Sequence, residues 1–185
     1  AQNISNIKEV KYKDKKINFD KKFSINKVKI SDMNDFLQSR NQKINTKRMI
    51  NRKKINVVDH YNWWLSEEFG SRDTYKVKSG NKTILYIWHK NIFINKKNYY
   101  VGGWFISDKT CKISDVYAAL KWQLKTTYSK NKKWIAVINF NNKVVLKLNK
   151  VLGFSKKFNL SSDYLNSRLF FKVSPKKFSY QIYSN

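Results

Sequence analysis

The polar and apolar positions over residues 134–154 change period once, and the change defines three elements. Trp134, Ile135, Ala136, Val137 and Ile138 form a continuous apolar run rich in β-branched residues, which is the pattern of a buried strand. Asn139, Asn141 and Asn142 break it. From Lys143 the spacing becomes helical: Val144, Val145, Leu148 and Leu152 share one face, and Lys143, Lys147 and Lys150 share another. Gly153 stands where a helix closes on a left-handed residue, and Phe154 is the apolar residue that packs back on the last turn.

The same patterns run upstream. Phe23, Ile25, Val28 and Ile30 alternate with polar residues apart from one slip, which predicts a strand over 23–30. Ser31 or Asp32 is placed to cap a helix with Met33, Phe36, Leu37 and Arg40 on one face. Arg40-Asn41 ends or kinks it, and residues 42–55 are basic without a clear period. A second helix is predicted over 56–69, with Asn56 and Asp59 as a capping pair and Gly70 as the stop. Its core stripe is Val58, Tyr61, Leu65 and Phe69, with His60, Trp63 and Glu67 opposite, although Trp64 also suits a core.

Three strands follow, over 74–78, 83–89 and 99–107, joined by a Gly80-Asn81 turn and a loop over 91–98. Gly102-Gly103 in the third predicts a bulge or a close backbone approach by a ligand. Ser114 is placed to cap a helix over 115–128 whose buried stripe is Val116, Tyr117, Leu120, Leu124 and Tyr128. After the 134–154 unit, residues 169–173 and 180–183 read as closing strands with Pro175 between them. The order β, α, α, β, β, β, α, β, α, β, β describes one mixed α/β (α+β) domain over 23–185, preceded by a Lys-rich segment over 1–22.

Composition narrows the class. A chain of 185 residues with 41% hydrophobic and 16% aromatic residues forms one domain with a real core. No apolar run reaches the length of a membrane span and no signal peptide is visible. The single cysteine, Cys111, allows no internal disulfide and fits a reducing compartment, so a cytoplasmic location is expected. Position 1 is Ala, which leaves an excised domain, a processed product and a tagged chain all open. The net charge of +27 has two readings. One is a polyanionic partner; lysines interleaved with Trp and Tyr suit single-stranded nucleic acid, although no nucleic-acid motif occurs. The other is the heavy Lys, Asn and Ile usage of an AT-rich genome, with lysines spread along the whole chain, and this reading is the better supported. No metal-ligand cluster, Cys/His pair or phosphate loop is present.

The run from Asn142 to Leu152-Gly153-Phe154 resembles the C-terminal signature of the GNAT superfamily of N-acetyltransferases. Arg40-Asn41, Arg48-Met49 and His60-Tyr61-Asn62-Trp63-Trp64 resemble the N-terminal half of its nucleotide-sugar and ribosomal-protein acetyltransferase groups. The resemblance covers about residues 23–183. It implies a mostly antiparallel central sheet flanked by helices, with a splayed cleft between the fourth and fifth strands. It also implies acetyl-CoA or another acyl-CoA as co-substrate, no metal, and a small-molecule amine as acceptor. By that resemblance the CoA pyrophosphate sits on Lys112, Ile113, Ser114, Asp115 and Val116, using helix N-terminal amides. Asn142 holds the CoA arm, and backbone amides of Trp104, Phe105 and Ile106 meet the acyl carbonyl. Arg48, His60 and Trp63 fall on the acceptor side. His89, His60 and Asp108 are the candidates for proton transfer, the histidines for their intrinsic pKa; each histidine taken alone reads better as an ordinary surface or helix-face residue.

The sequence departs from the family pattern at two places. The loop over 111–116 has no glycine, and Asn149 occupies the position of the family's tyrosine acid, so the tyrosine mechanism does not transfer. The implied activity is acetylation of a nucleotide-linked amino sugar in bacterial surface glycan assembly. Protein N-terminal acetylation, a catalytically inactive GNAT-like module and a basic nucleic-acid-binding domain are the alternatives. A part in a larger chain or a homodimer stays open.

Overall fold

The computed structural model describes residues 23–127, 133–155, 168 and 170–183. The Lys-rich segment 1–22, Tyr128 and Leu169 lie outside the described residues. One six-stranded sheet has the order β1-β2-β3-β4-β5-β6. Neighbours are antiparallel except β4 and β5, which are parallel. The predicted mixed, mostly antiparallel sheet is therefore present.

Strand β1 spans Phe23–Lys27 and stops short of its predicted end. Ile30–Asp32 form a 3-10 turn, and Ile30 is exposed. The Asp32 carboxylate causes this: it accepts from the Lys29 N–H at 2.7 Å and holds Lys76 Nζ of β2 at 2.6 Å. Helix α1, Met33–Asn41, buries Phe36, Leu37 and Arg40 as its period predicts. The start of the basic stretch forms the single turn α2, Lys43–Thr46.

The predicted 56–69 helix is two helices, α3 (Val57–Trp64) and α4 (Glu67–Gly70). Ser66 divides them. Its hydroxyl donates to the Trp63 carbonyl at 2.6 Å and accepts from the Phe69 N–H at 3.5 Å, ending one helix and capping the next. The buried face of α3 is turned from the predicted one, although Phe69 of the predicted stripe does pack on Trp64. Val58 and Leu65 are 68% and 72% exposed, whereas His60 and Trp64 are 1% and 6% exposed. Turning Trp64 and His60 inward joins them to Phe36, whose ring stands edge-on to Tyr86 and Phe105 of the sheet. That face buries more area than the aliphatic one.

Strands β2 (Asp73–Ser79), β3 (Lys82–Ile94) and β4 (Lys97–Ile106) make the meander. The loop expected over 91–98 is a tight hairpin, with Asn95 and Lys96 both at positive φ, 45° and 61°. Cross-strand pairing runs unbroken from Leu85↔Ile106 to Ile94↔Lys97. No bulge falls at Gly102-Gly103; the register shift lies at Val77/Lys78. Helix α5, Ile113–Thr126, starts earlier than predicted. Lys112 is its N-cap, and Asp115, not Ser114, supplies the capping oxygen by accepting from the Lys112 N–H at 2.8 Å. Strand β5 (Lys133–Asn139), helix α6 (Lys143–Val151) and strand β6 (Phe178–Tyr183) complete the fold. The predicted strand over 169–173 does not form, since Arg168, Phe170 and Phe171 are helical.

Alternation along β3 sorts the core. Leu85 and Ile87 face α5 and join Leu120, Leu148, Leu152 and Trp134 in one cluster. Tyr86 faces the other way, into the cluster with Phe36 and Trp64.

Candidate functional site

The sheet opens between its two parallel strands. β4 and β5 pair only at Tyr99↔Lys133, Tyr100↔Trp134 and Val101↔Ile135, and then diverge. A cavity of about 610 Å³ begins there, with Gly102–Ile106 on one wall and residues 135–139 on the other. Its remaining walls come mainly from α1, the 45–55 segment, α5 and α6. The point of divergence is packed with tryptophan. A Cβ on Gly102 would lie 2.5 Å from the Trp88 carbonyl oxygen and 2.7 Å from the Trp134 ring. A Cβ on Gly103 would lie 2.9 Å from Trp88 Nε1. The glycine pair thus lets the Trp88 backbone and the Trp88 and Trp134 indoles approach closely, and both glycines also line the cavity. Trp134 is fixed by its Nε1–H, which donates to Thr127 Oγ1 at 2.9 Å.

Strand alternation decides which β4 groups face the opening. Ile106 directs both backbone groups away from β3. Its N–H donates to Asn45 Oδ1 at 3.1 Å, and its carbonyl accepts from Asn45 Nδ2 at 2.7 Å. Ser107 points the opposite way, its N–H donating to the Ile84 carbonyl on β3 at 2.9 Å. By the period of two, Phe105 faces β3 and Trp104 faces the cleft, where β5 has left. Of the three amides expected at an acyl carbonyl, Phe105 is committed to the sheet and Ile106 to Asn45. Trp104 is the one turned to the opening.

The cavity gathers Trp104, Phe105, Ile106, Asn142, Arg48 and Trp63 from the predicted site. Asn142 also caps α6, with Oδ1 accepting from the Val145 N–H at 3.5 Å. The three proton-transfer candidates do not line it. His60 is buried under α3; its Nε2–H donates to the Met33 carbonyl at 3.0 Å, and burial pushes its pKa down. His89 is buried on the α5 side of the sheet, with Nδ1 3.2 Å from Gln123 Nε2. Burial lowers its pKa too, against a smaller raising effect of Asp73, whose Oδ2 lies 3.7 Å from His89 Nε2. Asp108 pairs with Lys82 at 2.8 Å and accepts from the Thr110 hydroxyl at 2.6 Å, which holds it well below the usual carboxylate range. Strand alternation sends His89 into a packed face, the inward face of α3 buries His60, and a local turn claims the aspartate. Lys112, Ile113, Ser114, Asp115 and Val116 also lie outside the cavity lining, at the capped start of α5.

Several further groups line the cavity, of which Arg72 and Asn45 carried no signal in the sequence. Arg40 is 8% exposed; Nη2 donates to the Asn51 carbonyl at 2.9 Å, while Nη1 is buried without a partner. Arg72 stacks between Trp63 and Trp88, its guanidinium carbon 5.1 and 4.5 Å from the two rings. Asn149 is buried, its Nδ2 donating to Gln181 Oε1 at 3.0 Å. Asn45, read only as part of a basic stretch, proves to be the bridge that holds the edge of β4. A backbone-mimicking asparagine has no sequence signature. Among the described residues, no group of three or more His, Cys, Asp or Glu is placed to hold a metal ion.

No family model and no curated protein matches the chain. Solved structures do resemble it. A domain from Methanocaldococcus jannaschii is 20% identical over 89% of this chain and 99% of its own, with a TM-score of 0.63. The aminoglycoside acetyltransferase AAC(6')-Ib, solved with coenzyme A, is 8% identical over 88% and 95%, with a TM-score of 0.67. The GNAT domain of S. lividans PAT is 11% identical over 87% and 89%, with a TM-score of 0.60. At these identities the likeness is one of architecture, and the architecture is the GNAT fold, with its splay between β4 and β5.

Proposed function

We propose that the protein is an N-acyltransferase that takes acetyl-CoA, or another acyl-CoA, into the splay between β4 and β5. One observation carries this reading: the strands part after Val101 and leave the Trp104 backbone facing a cavity of about 610 Å³. The Trp104 N–H replaces a β5 carbonyl with the thioester carbonyl oxygen and stabilises the oxyanion that develops there. Asn142, at the start of α6, holds the thioester arm. The start of α5 takes the CoA pyrophosphate through backbone amides, with Lys112 offsetting the charge of Asp115.

Transfer then needs an unprotonated acceptor amine. Its nitrogen attacks the carbonyl carbon, the C–N bond forms, the C–S bond breaks, and the CoA sulfur leaves with the proton that the amine gives up. No histidine or carboxylate lines the cavity among the described residues, so the amine's own pKa sets the fraction ready to react. The acceptor is a small-molecule amine; a nucleotide-linked amino sugar of surface glycan assembly is the class that the family resemblance favours, in a cytoplasmic reaction. The missing acid–base side chain favours one other reading, a GNAT-fold module that binds acyl-CoA without turnover.

Calorimetric titration with acetyl-CoA tests the reading directly. Saturable binding is expected, weakened at least tenfold by Asn142→Trp in a variant that keeps its circular dichroism. An absence of binding at millimolar acetyl-CoA overturns both readings. Binding without transfer to any amine leaves only the non-catalytic module.

A further inference from the structure

The sequence holds five arginines among 39 cationic residues. Arg40, Arg48 and Arg72 line the main cavity. Arg48 also lines an adjoining cavity of about 160 Å³, together with Arg52, Lys47 and Lys143. Four of the five arginines therefore gather at one cleft, against two of the 23 lysines among the described residues. Lysine usage across this chain is diffuse, as genome composition would make it; the arginine placement is not. Arginine differs from lysine in presenting a flat fork of donors that matches a phosphate or carboxylate in two hydrogen bonds.

Of these four arginines, only Arg72 has a carboxylate beside it among the described residues, Glu68. Among the described residues, neither cavity has an aspartate or glutamate in its lining. Arg40 is the sharpest case. It is 92% buried, its one recorded hydrogen bond goes to a backbone carbonyl, and its Nη1 has no partner. A buried guanidinium left partly unsatisfied is costly unless a ligand completes it. Arg72 likewise has a buried Nε without a hydrogen-bond partner, but its guanidinium already meets Glu68 and the two indoles. The smaller cavity adjoins the main one through Arg48, Asn139 and Asn142, beside the turn proposed to hold the thioester.

We infer that this cleft selects an acceptor amine bearing an oxyanion, a phosphate or a carboxylate, seated on Arg48 and Arg52 at the cleft mouth and on Arg40 within. The inference rests on the acyltransferase reading for the amine and stands on the arginines for the anion. Polycationic amines are excluded by the same charges. The anion site is separate from the start of α5, where CoA phosphates belong.

Two measurements separate the inference from the reading beneath it. The first titrates inorganic pyrophosphate into the full chain, alone and saturated with acetyl-CoA. Saturable binding that survives acetyl-CoA is expected, weakened at least tenfold by Arg48→Gln and by Arg52→Gln. Lys147→Gln, which removes one charge from the exposed face of α6, should change it less than twofold. Equal losses in all three variants mean a general field effect and overturn the inference, as does competition between pyrophosphate and acetyl-CoA. The second measures transfer to glucosamine, glucosamine 6-phosphate, glycine and glycinamide. At least one anionic member should exceed its neutral partner tenfold in kcat/KM, and Arg40→Gln should raise the KM of that acceptor without raising that of acetyl-CoA. A preference for the phosphate pair or the carboxylate pair names the source of the anion. Preference for neutral amines, or a rise in the acetyl-CoA KM alone, overturns the inference. If acetyl-CoA fails to bind while pyrophosphate binds through Arg48, the acyltransferase reading falls and the anion site remains.

Discussion

His60 and His89 were the natural candidates for a base, and both are spent on structure. Each is held neutral by burial, with a folded pKa below the ordinary value. The unfolded chain binds protons at about pH 6.5 that the folded chain refuses. Stability is therefore full above that pH and is lost as the pH falls through it. The urea midpoint should drop between pH 7.5 and 5.5, and the slope should shrink in His89→Gln. A slope unchanged by the substitution would place the titrating group elsewhere. Catalysis should behave differently. With no imidazole at the cleft, kcat/KM should climb with pH towards the pKa of the acceptor amine, without a plateau near 6.5. Gly102 is a third residue with a definite expectation. Alanine there meets a carbonyl oxygen at 2.5 Å and an indole carbon at 2.7 Å, and both belong to packed groups. Gly102→Ala should cost about 1–3 kcal/mol of stability, as overpacking does, read from the denaturant midpoint. The glycine pair was legible as a close approach, but not what approaches it. Nor did sequence show that Asn45 would take the Ile106 amide, because a side chain that imitates a strand leaves no period.

At the scale of elements, α3 shows where pattern reading fails. A short amphipathic helix with aromatics on one side and aliphatics on the other offers two plausible buried faces. The choice is made by what stands opposite, here Phe36, Tyr86 and Phe105. Trp64→Ala should cost about 3–5 kcal/mol, whereas Leu65→Ser on the exposed side should stay within about 0.5 kcal/mol. Equal effects in chemical denaturation would restore the predicted face. The hairpin at Asn95-Lys96 carries a similar lesson. Its residues show a break in polarity but no glycine, yet both central positions are left-handed. Lys96→Gly should stabilise the protein by about 0.5–1 kcal/mol, since the side chain there is held at positive φ. The strongly periodic elements, α1, α5, β5 and α6, were legible because burial on one face leaves little choice. Residues 42–55 were not, because loop placement depends on the cleft they border.

At the scale of the whole molecule, the +27 charge and the fold pull in different directions. Such a charge binds oligonucleotides through counterion release whatever the fold. Any affinity should therefore fall steeply with salt and be as sensitive to Lys147→Gln as to Arg48→Gln. Equal sensitivity would mark it as non-specific. The arginine cleft is a local feature on that diffuse background.

The three-residue seam between β4 and β5 has one more consequence. It is the narrowest backbone connection in the sheet, set between a long meander and the β5–β6 pair. Core side chains from both sides share one cluster, yet the amides along the divergence have no partner strand to shelter them. In hydrogen exchange, β5 and β6 should open as a unit of their own, at lower free energy than β2–β4. A molecule lying in the gap would splint the two units into one, so that occupancy is read as a merging of two protection classes rather than as a change of shape.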